Sequence, residues 1–333
     1  MTAKIAINGL GRIGRAALKI ISETPELELA AINDLVPTGN LAYLLKYDTV
    51  YGRYGKEVSS RENALLINGR SHPVHKEKDP ARLPWGDLDV DIVLECTGVF
   101  TKKDALQKHL QAGAKHVILS APAKDGDVLT VVPGVNSPEK APEILSCASC
   151  TTNCITPVVE VMGRRIGIKK AIMTTIHAYT SSQSIVDGPN KKMRRGRAGA
   201  ANFVPTSTGA AKATTQVLTE FKNKFDGVAV RAPVPVGSIS DIIFVTEKKT
   251  SAEEVNRIFK EEAESQRYKG ILGASEEELV SSDIIQDPRA SIVDLSMTQV
   301  VDGDLVKVMS WYDNEWGYSQ QMIREAVRIS RNL

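Results

Sequence analysis

Three of the four cysteines in this 333-residue chain fall in one stretch, "SCASCTTNC", as Cys147, Cys150 and Cys154. Thiols grouped in this way can ligate a metal, form a redox pair, pack as small apolar side chains, or supply one nucleophile with bystanders. Metal ligation needs several thiolates converging on one point. Paired C-x2-C units are missing, and Cys96 lies in the apolar run "IVLECTG", so no metal site is expected. Cys154 falls one helical turn after Cys150 and reads as a packed small residue, as does Cys147. Cys150 is different. It sits where a strand-like segment gives way to a helix, whose first N–H groups favour a thiolate.

A nucleophilic thiol also needs a base, and the chain has only five histidines. His72, His75, His109 and His116 fall in polar or surface-like contexts, where a solvated imidazole is the ordinary reading. His177 lies inside the strand-like "MTTIHAYT", a poor place for a titratable residue without a task. Taken alone it reads as a satisfied core histidine. Beside a thiol at a helix start it becomes the leading base candidate.

A second chemistry is written at the N-terminus. "NGLGRIGR" holds Gly9, Gly11 and Gly14 in G-x-G-x-x-G spacing. The three glycines serve the tight turn, the close approach of backbone to a pyrophosphate, and the helix–strand contact. A strand precedes the motif, a helix follows, and Asp34 ends the next strand 20 positions after Gly14. A carboxylate there accepts from ribose hydroxyls and repels a 2′-phosphate, which favours NAD, with NADP tolerance left open.

The elements that position these groups change character along the chain. Through the first half, branched apolar strands such as "KIAIN", "LELAAIN", "VDIVLECTG" and "KHVILSAP" alternate with helical segments, including "KKDALQKHLQAGA". That alternation predicts a Rossmann-type doubly wound parallel sheet. Beyond about Cys150 comes a helix, then an irregular basic stretch from Ser181 to Pro205, then "TGAAKATTQVLTEFKNKF" as a helix. Longer alternating strands follow, which predicts a second α+β domain with a mixed or antiparallel sheet. "VDGD" carries an Asp-Gly pair suited to a hairpin turn. The expected organisation is a dinucleotide domain over 1–149, a catalytic domain over 150–314, and a last helix over 315–333 packing back on the first domain.

Composition closes off other classes. A net charge of +2 gives no support for a nucleic-acid partner. No apolar run reaches membrane-span length, and four cysteines in 333 residues form no disulfide framework, so a reduced cytoplasmic setting is expected.

Together "NGLGRIGR", "ASCTTNC", "HAYT", "STGAAKA", "SSD" and "SWYDNEWGYS" resemble the phosphorylating glyceraldehyde-3-phosphate dehydrogenases over nearly the whole chain. The resemblance implies oxidation of glyceraldehyde 3-phosphate by NAD and capture of inorganic phosphate, through a hemithioacetal and a thioester on Cys150 with His177 as base. It implies that Ser149, Thr151, Thr208 and Gly209 hold the attacking phosphate and that Thr180, Arg195 and Arg231 hold the substrate phosphate. On the cofactor side it implies roles for Asn8, Gly9, Gly11, Arg12, Ile13, Gly14, Asn33, Asp34, Thr97, Gly98, Ser120, Asn314 and Tyr318. It further implies a homotetramer, with the Ser181–Pro205 stretch reaching toward a neighbouring subunit.

Three departures stand out. Cys147 replaces the family's usual asparagine and puts a second thiol close to Cys150 in sequence, which raises an oxidative disulfide as a hypothesis. Ser182 replaces a common aspartate, and "RAPVPVGSISD" differs from the usual run after Arg231. The nearest rival is erythrose-4-phosphate dehydrogenase, disfavoured by an intact "TSTGAAKA". A semialdehyde dehydrogenase is disfavoured by "WYDNEWGYS", and a non-catalytic nucleotide-binding regulator by the Cys150–His177 pair.

Overall fold

The run "KIAIN" lies in β1 (Ala3–Asn8), which is covered on both faces at the centre of a nine-stranded sheet. The computed structural model describes residues 2–333, and the chain divides into two units. The first comprises Met1–Val131, Ser137–Ala148 and Met322–Leu333; the second comprises Val132–Asn136 and Ser149–Gln321.

In the first unit, β1 leads through α1 (Arg12–Ile21) to β2 (Leu27–Asn33), and α2 (Thr38–Lys46) follows. A small ribbon, β3 (Tyr47–Asp48) with β4 (Gly52–Arg53), precedes β5 (Val58–Arg61), β6 (Ala64–Ile67) and β7 (Arg70–His75). Then come β8 (Ile92–Glu95), α3 (Lys103–Gln111), β9 (His116–Leu119), β10 (Leu129–Thr130) and β11 (Ile144–Ser146). The sheet runs β10-β11-β9-β8-β1-β2-β7-β6-β5, parallel except for the β7-β6-β5 meander at one edge. The strand order reverses at β1, between β2 and β8. Ligands of open parallel sheets bind at the carboxyl ends of strands beside such a reversal.

The second unit starts with α4 (Cys150–Arg165), followed by β12 (Ile168–Ala178) and β13 (Val204–Ser207). It continues with α5 (Ala210–Val217), β14 (Phe225–Ala232), β15 (Ser238–Thr246) and α6 (Ala252–Glu264). β16 (Leu272–Ser275), β17 (Ser291–Val301) and β18 (Leu305–Tyr312) follow, and α7 (Trp316–Ser330) is the last element of the chain, its residues from Met322 belonging to the first unit. The sheet, β13-β14-β12-β15-β18-β17-β16, mixes parallel and antiparallel pairs. β15 alternates buried with more exposed positions, as a strand with one face on a core does. That core joins α4, through Ile155, Val158 and Met162, to Ile242 and Phe244 of β15. The Asp-Gly turn forms as predicted: Asp302 (φ 48°) and Gly303 (φ 76°) are both left-handed and join β17 to β18.

Two expectations are corrected. The helix read through "TGAAKATTQVLTEFKNKF" ends at Val217, and β14 has already begun at Phe225. Helix-compatible residues gave way to the sheet's demand for a strand beside β12. The histidines at 72 and 109 are buried rather than solvated. His109 has polar sequence neighbours, but it lies three positions after buried Leu106 on α3, so helical geometry turns it inward. No helix among the described residues is long and apolar enough to cross a membrane.

Candidate active site

In the first unit the sequence-predicted cofactor residues gather at the carboxyl ends of β1, β2, β8 and β9. Gly9 follows β1 with φ 92°, and a Cβ there would lie 2.7 Å from the amide nitrogen of Thr97. Gly14 is closed by the carbonyl of Gly9. Gly11, at the head of α1, behaves differently: a Cβ would meet no protein atom within 4 Å. Two glycines thus serve packing, while the third leaves bare backbone beside the first N–H groups of a helix, which fits the approach of a pyrophosphate. Arg12 and Ile13 open that helix.

Asp34 follows β2. Its two carboxylate oxygens accept from the amides of Leu10 (2.7 Å) and Val36 (2.9 Å), so the acid also closes the glycine loop. Each oxygen keeps a further lone pair for a ribose hydroxyl. Arg12 donates to Asp48 at 2.5 Å and lies over the ring of Tyr51, so its side chain turns away along the ribbon. Asn8 and Asn33 are buried at their strand ends. Thr97, Gly98 (φ 71°) and Ser120 follow β8 and β9, and the Ser120 amide donates to the Glu95 carbonyl. These residues fit NAD.

In the second unit, Ser149 caps α4 by accepting from the Thr152 amide at 3.1 Å, which sets Cys150 at the first helical position. Its Sγ lies 3.3 Å from Nε2 of His177 near the end of β12. Burial pushes the thiol up, while Arg231 and the amides of the first turn pull it down. Burial also pushes His177 down to about 3, and the neighbouring Arg231 adds to the shift. Both groups are therefore held neutral at rest, thiol against imidazole. His177 Nδ1 lies 2.7 Å from the carbonyl of Ala178; with the proton on Nδ1, the Nε2 lone pair faces the thiol.

Arg231 sits opposite His177 in the parallel pairing of β14 with β12. Arg195 donates through Nε to Thr206 and through Nη1 to Ser182, whose hydroxyl lies 2.8 Å from that of Thr180. Burial lowers both guanidinium groups, and no ion pair among the described residues involves either. Two arginines without carboxylates, beside the hydroxyls of Thr206, Ser182 and Thr180, have the chemistry to receive an anion. Thr208 accepts from the amide of Ala210, the first residue of α5, and a Cβ on Gly209, the N-cap, would meet nothing within 4 Å. Thr151 lies 2.8 Å from the hydroxyl of Tyr312. Asn314 is buried, and its Oδ1 accepts from Ser238 at 2.9 Å, which fixes which end of the amide is the donor. Tyr318 is buried in the first turn of α7.

Sequence reasoning missed Thr175, Thr206, Ser238 and Tyr312. Tyr312 meets the His177 ring edge-on at 6.0 Å and joins Thr151 to Thr175 through its hydroxyl. Thr175 was within reach, since residues two apart on a strand share a face and His177 was already singled out. Ser238 accepts from the Ala178 amide while donating to Asn314, a bridge that exists only in three dimensions.

Residues 3–103 match the family profile for the glyceraldehyde 3-phosphate dehydrogenase NAD binding domain, and residues 149–314 match that for its C-terminal domain. The glyceraldehyde-3-phosphate dehydrogenase of Streptomyces coelicolor is 47% identical, with all of both chains aligned. That of Geobacillus stearothermophilus is 48% identical over 99% of each chain. That of Thermotoga maritima is 50% identical over 96% of this chain and 97% of the relative.

Proposed function

The chain belongs to the glyceraldehyde-3-phosphate dehydrogenase family, and from that premise we propose that this NAD-dependent oxidoreductase converts glyceraldehyde 3-phosphate and inorganic phosphate to 1,3-bisphosphoglycerate. The observation that carries the reading is the 3.3 Å approach of Cys150 Sγ to His177 Nε2 beside two arginines without carboxylate partners.

Arg195, Arg231 and Thr180 take the phosphate of the substrate, and its negative charge relieves the repulsion between Arg231 and a protonated His177. Cys150 attacks the aldehyde carbon as its proton passes to Nε2 of His177, giving a hemithioacetal. The glycine loop, Asn33, Asp34 and the residues after β8 and β9 would hold NAD, which would supply the hydride acceptor for oxidation of the adduct to a thioester. Inorganic phosphate, received by Ser149, Thr151, Thr208 and Gly209, attacks the thioester carbon. The C–S bond breaks and the thiolate recovers a proton from His177. Capture by phosphate, rather than by water, keeps the energy of oxidation in an acyl phosphate.

A homotetramer is part of the same reading. The stretch after β12 exposes Ile185, Val186, Met193 and Phe203, and the outer sheet face exposes Ile172, Ile243 and Val228, a pattern that asks for cover by further copies. NADH formation from glyceraldehyde 3-phosphate, with and without inorganic phosphate, tests the chemistry. Phosphate-dependent turnover that vanishes in Cys150→Ser supports it. Phosphate-independent turnover points to a hydrolytic aldehyde dehydrogenase, and turnover with erythrose 4-phosphate alone to the sister enzyme.

A further inference from the structure

Behind the glycine loop of the first unit lies a chain of buried polar side chains that the reaction above leaves without a task. Glu95 ends β8, His109 lies on α3, and Trp85 lies on the segment before β8; all three are fully buried. Trp85 Nε1 is 3.0 Å from His109 Nδ1, and His109 Nε2 is 3.2 Å from Glu95 Oε2. An indole N–H only donates, so Nδ1 must accept. Neutral His109 therefore carries its proton on Nε2 and donates it to Glu95.

Three more donors converge on the same carboxylate. Asn8 Nδ2 donates to Oε2 at 2.5 Å, the Thr97 amide donates to Oε1 at 2.8 Å, and the Thr97 hydroxyl donates to Oε1 as well. With His109, these donors fill the lone-pair sites of one ionised carboxylate, of which there are about four. Because Asn8 commits its nitrogen to Glu95, its Oδ1 faces Asn33 and accepts from Nδ2 at 2.7 Å. Asn33 closes the chain on the Glu77 backbone, through Nδ2 to the carbonyl and Oδ1 from the amide, both at 2.9 Å. One direction of donation thus runs from Trp85 to the carboxylate and fixes both asparagine amides beyond it.

Three strand ends meet here. Asn8 ends β1, Asn33 ends β2, and Glu95 ends β8. Gly9 takes its amide bond from the carbonyl of Asn33 at 2.8 Å, and a Cβ on it would strike Thr97. A tilt of Thr97 therefore reaches the glycine loop directly. An unpaired buried carboxylate is costly, and an apolar side chain would fill the space more simply. What the carboxylate adds is orientation.

We propose that Glu95, backed by His109 and Trp85, is the positioning residue of the dinucleotide crevice. It holds Asn8, Thr97 and, through Asn8, Asn33 in the single arrangement that receives NAD. The inference rests on the reading that these strand ends bind NAD.

Glu95→Gln tests it with little change of shape. One acceptor oxygen becomes a donor NH2, so at least two of the four donors lose their acceptor. Calorimetric titration with NAD on the full protein is expected to show a dissociation constant raised about tenfold or more. The KM for the triose phosphate and kcat at saturating NAD should stay within about twofold. The indole N–H resonance of Trp85 should also shift as His109 loses its acceptor, a change that general loosening of the fold would not single out. Asp34→Ala serves as the control on the crevice. If Asp34→Ala weakens NAD while Glu95→Gln binds it like wild type, the positioning role is wrong and the crevice stands. If both bind like wild type, the crevice is wrong and the proposal falls with it. Should Glu95→Gln fail to fold, Trp85→Phe, which keeps a ring and removes the N–H, decides: about threefold weaker NAD binding upholds the relay, and unchanged binding overturns it.

Discussion

Arg231 and His177 share one acceptor. Arg231 Nη1 lies 3.0 Å, and His177 Nδ1 2.7 Å, from the carbonyl oxygen of Ala178, while the two nitrogens stand 2.5 Å apart. Two N–H donors crowded on one oxygen repel each other, and a second positive charge on the imidazole would make matters worse. The arrangement keeps His177 neutral until something offsets the guanidinium charge.

The first prediction is a pH dependence of stability. His177 is depressed to about 3 in the folded chain, below its ordinary value near 6.5, so the unfolded chain binds a proton that the folded chain refuses. Its contribution is complete above about pH 6.5 and is lost as pH falls toward 3, at about 1.4 kcal/mol per unit. Urea unfolding at pH 4.5 and 7.5 should therefore show a smaller difference in His177→Gln, by about 2–3 kcal/mol. Equal slopes in both proteins would mean that another group carries the acid sensitivity.

Arg231→Lys should raise the KM for glyceraldehyde 3-phosphate about tenfold or more, because an ammonium cannot offer the fork of a guanidinium. Steady-state kinetics at saturating NAD and phosphate measure it. An unchanged KM would move the substrate anion elsewhere.

Gly9 and Gly11 should separate folding from binding. Gly9→Ala combines φ 92° with a 2.7 Å clash against Thr97, and is expected to lower thermal stability sharply. Gly11→Ala should melt within a degree or two of wild type, since nothing in the protein opposes its Cβ, yet weaken NAD about tenfold or more. Normal NAD affinity in Gly11→Ala would place the pyrophosphate away from this turn.

Ser149→Ala removes the cap of α4 and should cost about 1 kcal/mol in chemical denaturation. It should also slow alkylation of Cys150 by iodoacetamide, because the first turn that aims its amides at the thiol frays. A rate equal to wild type would show that Arg231 alone governs the thiolate.

Cys147→Asn should leave inactivation by peroxide unchanged. Burial first, and Glu325 second, hold the Cys147 thiol well above its ordinary value, and only a thiolate reacts readily. A marked gain in resistance would instead revive the oxidative pairing suggested by the spacing in sequence.

The parts of the site legible in the sequence are those that one segment builds by itself. The glycine turn, the acid after β2 and the cysteine at a helix start each follow from local spacing, because backbone geometry links neighbours in the chain. The missed residues work across elements. Tyr312 reaches Thr151 and Thr175 from a different strand, and Ser238 joins Ala178 to Asn314. His109 was misread for a related reason: polar neighbours masked a periodicity that placed it beside Leu106. Partners far apart in sequence leave no spacing to read.

The strand that carries His177 has a second side to its life. Ile172 on β12 is paired with Ile243 on β15, and Val228 lies on the adjoining β14, the strand that bears Arg231. If subunits meet on this face, association clamps the same two strands that bring imidazole and guanidinium together. Dilution would then act as an inhibitor, and specific activity would depend on enzyme concentration with no change in any residue that touches the substrate.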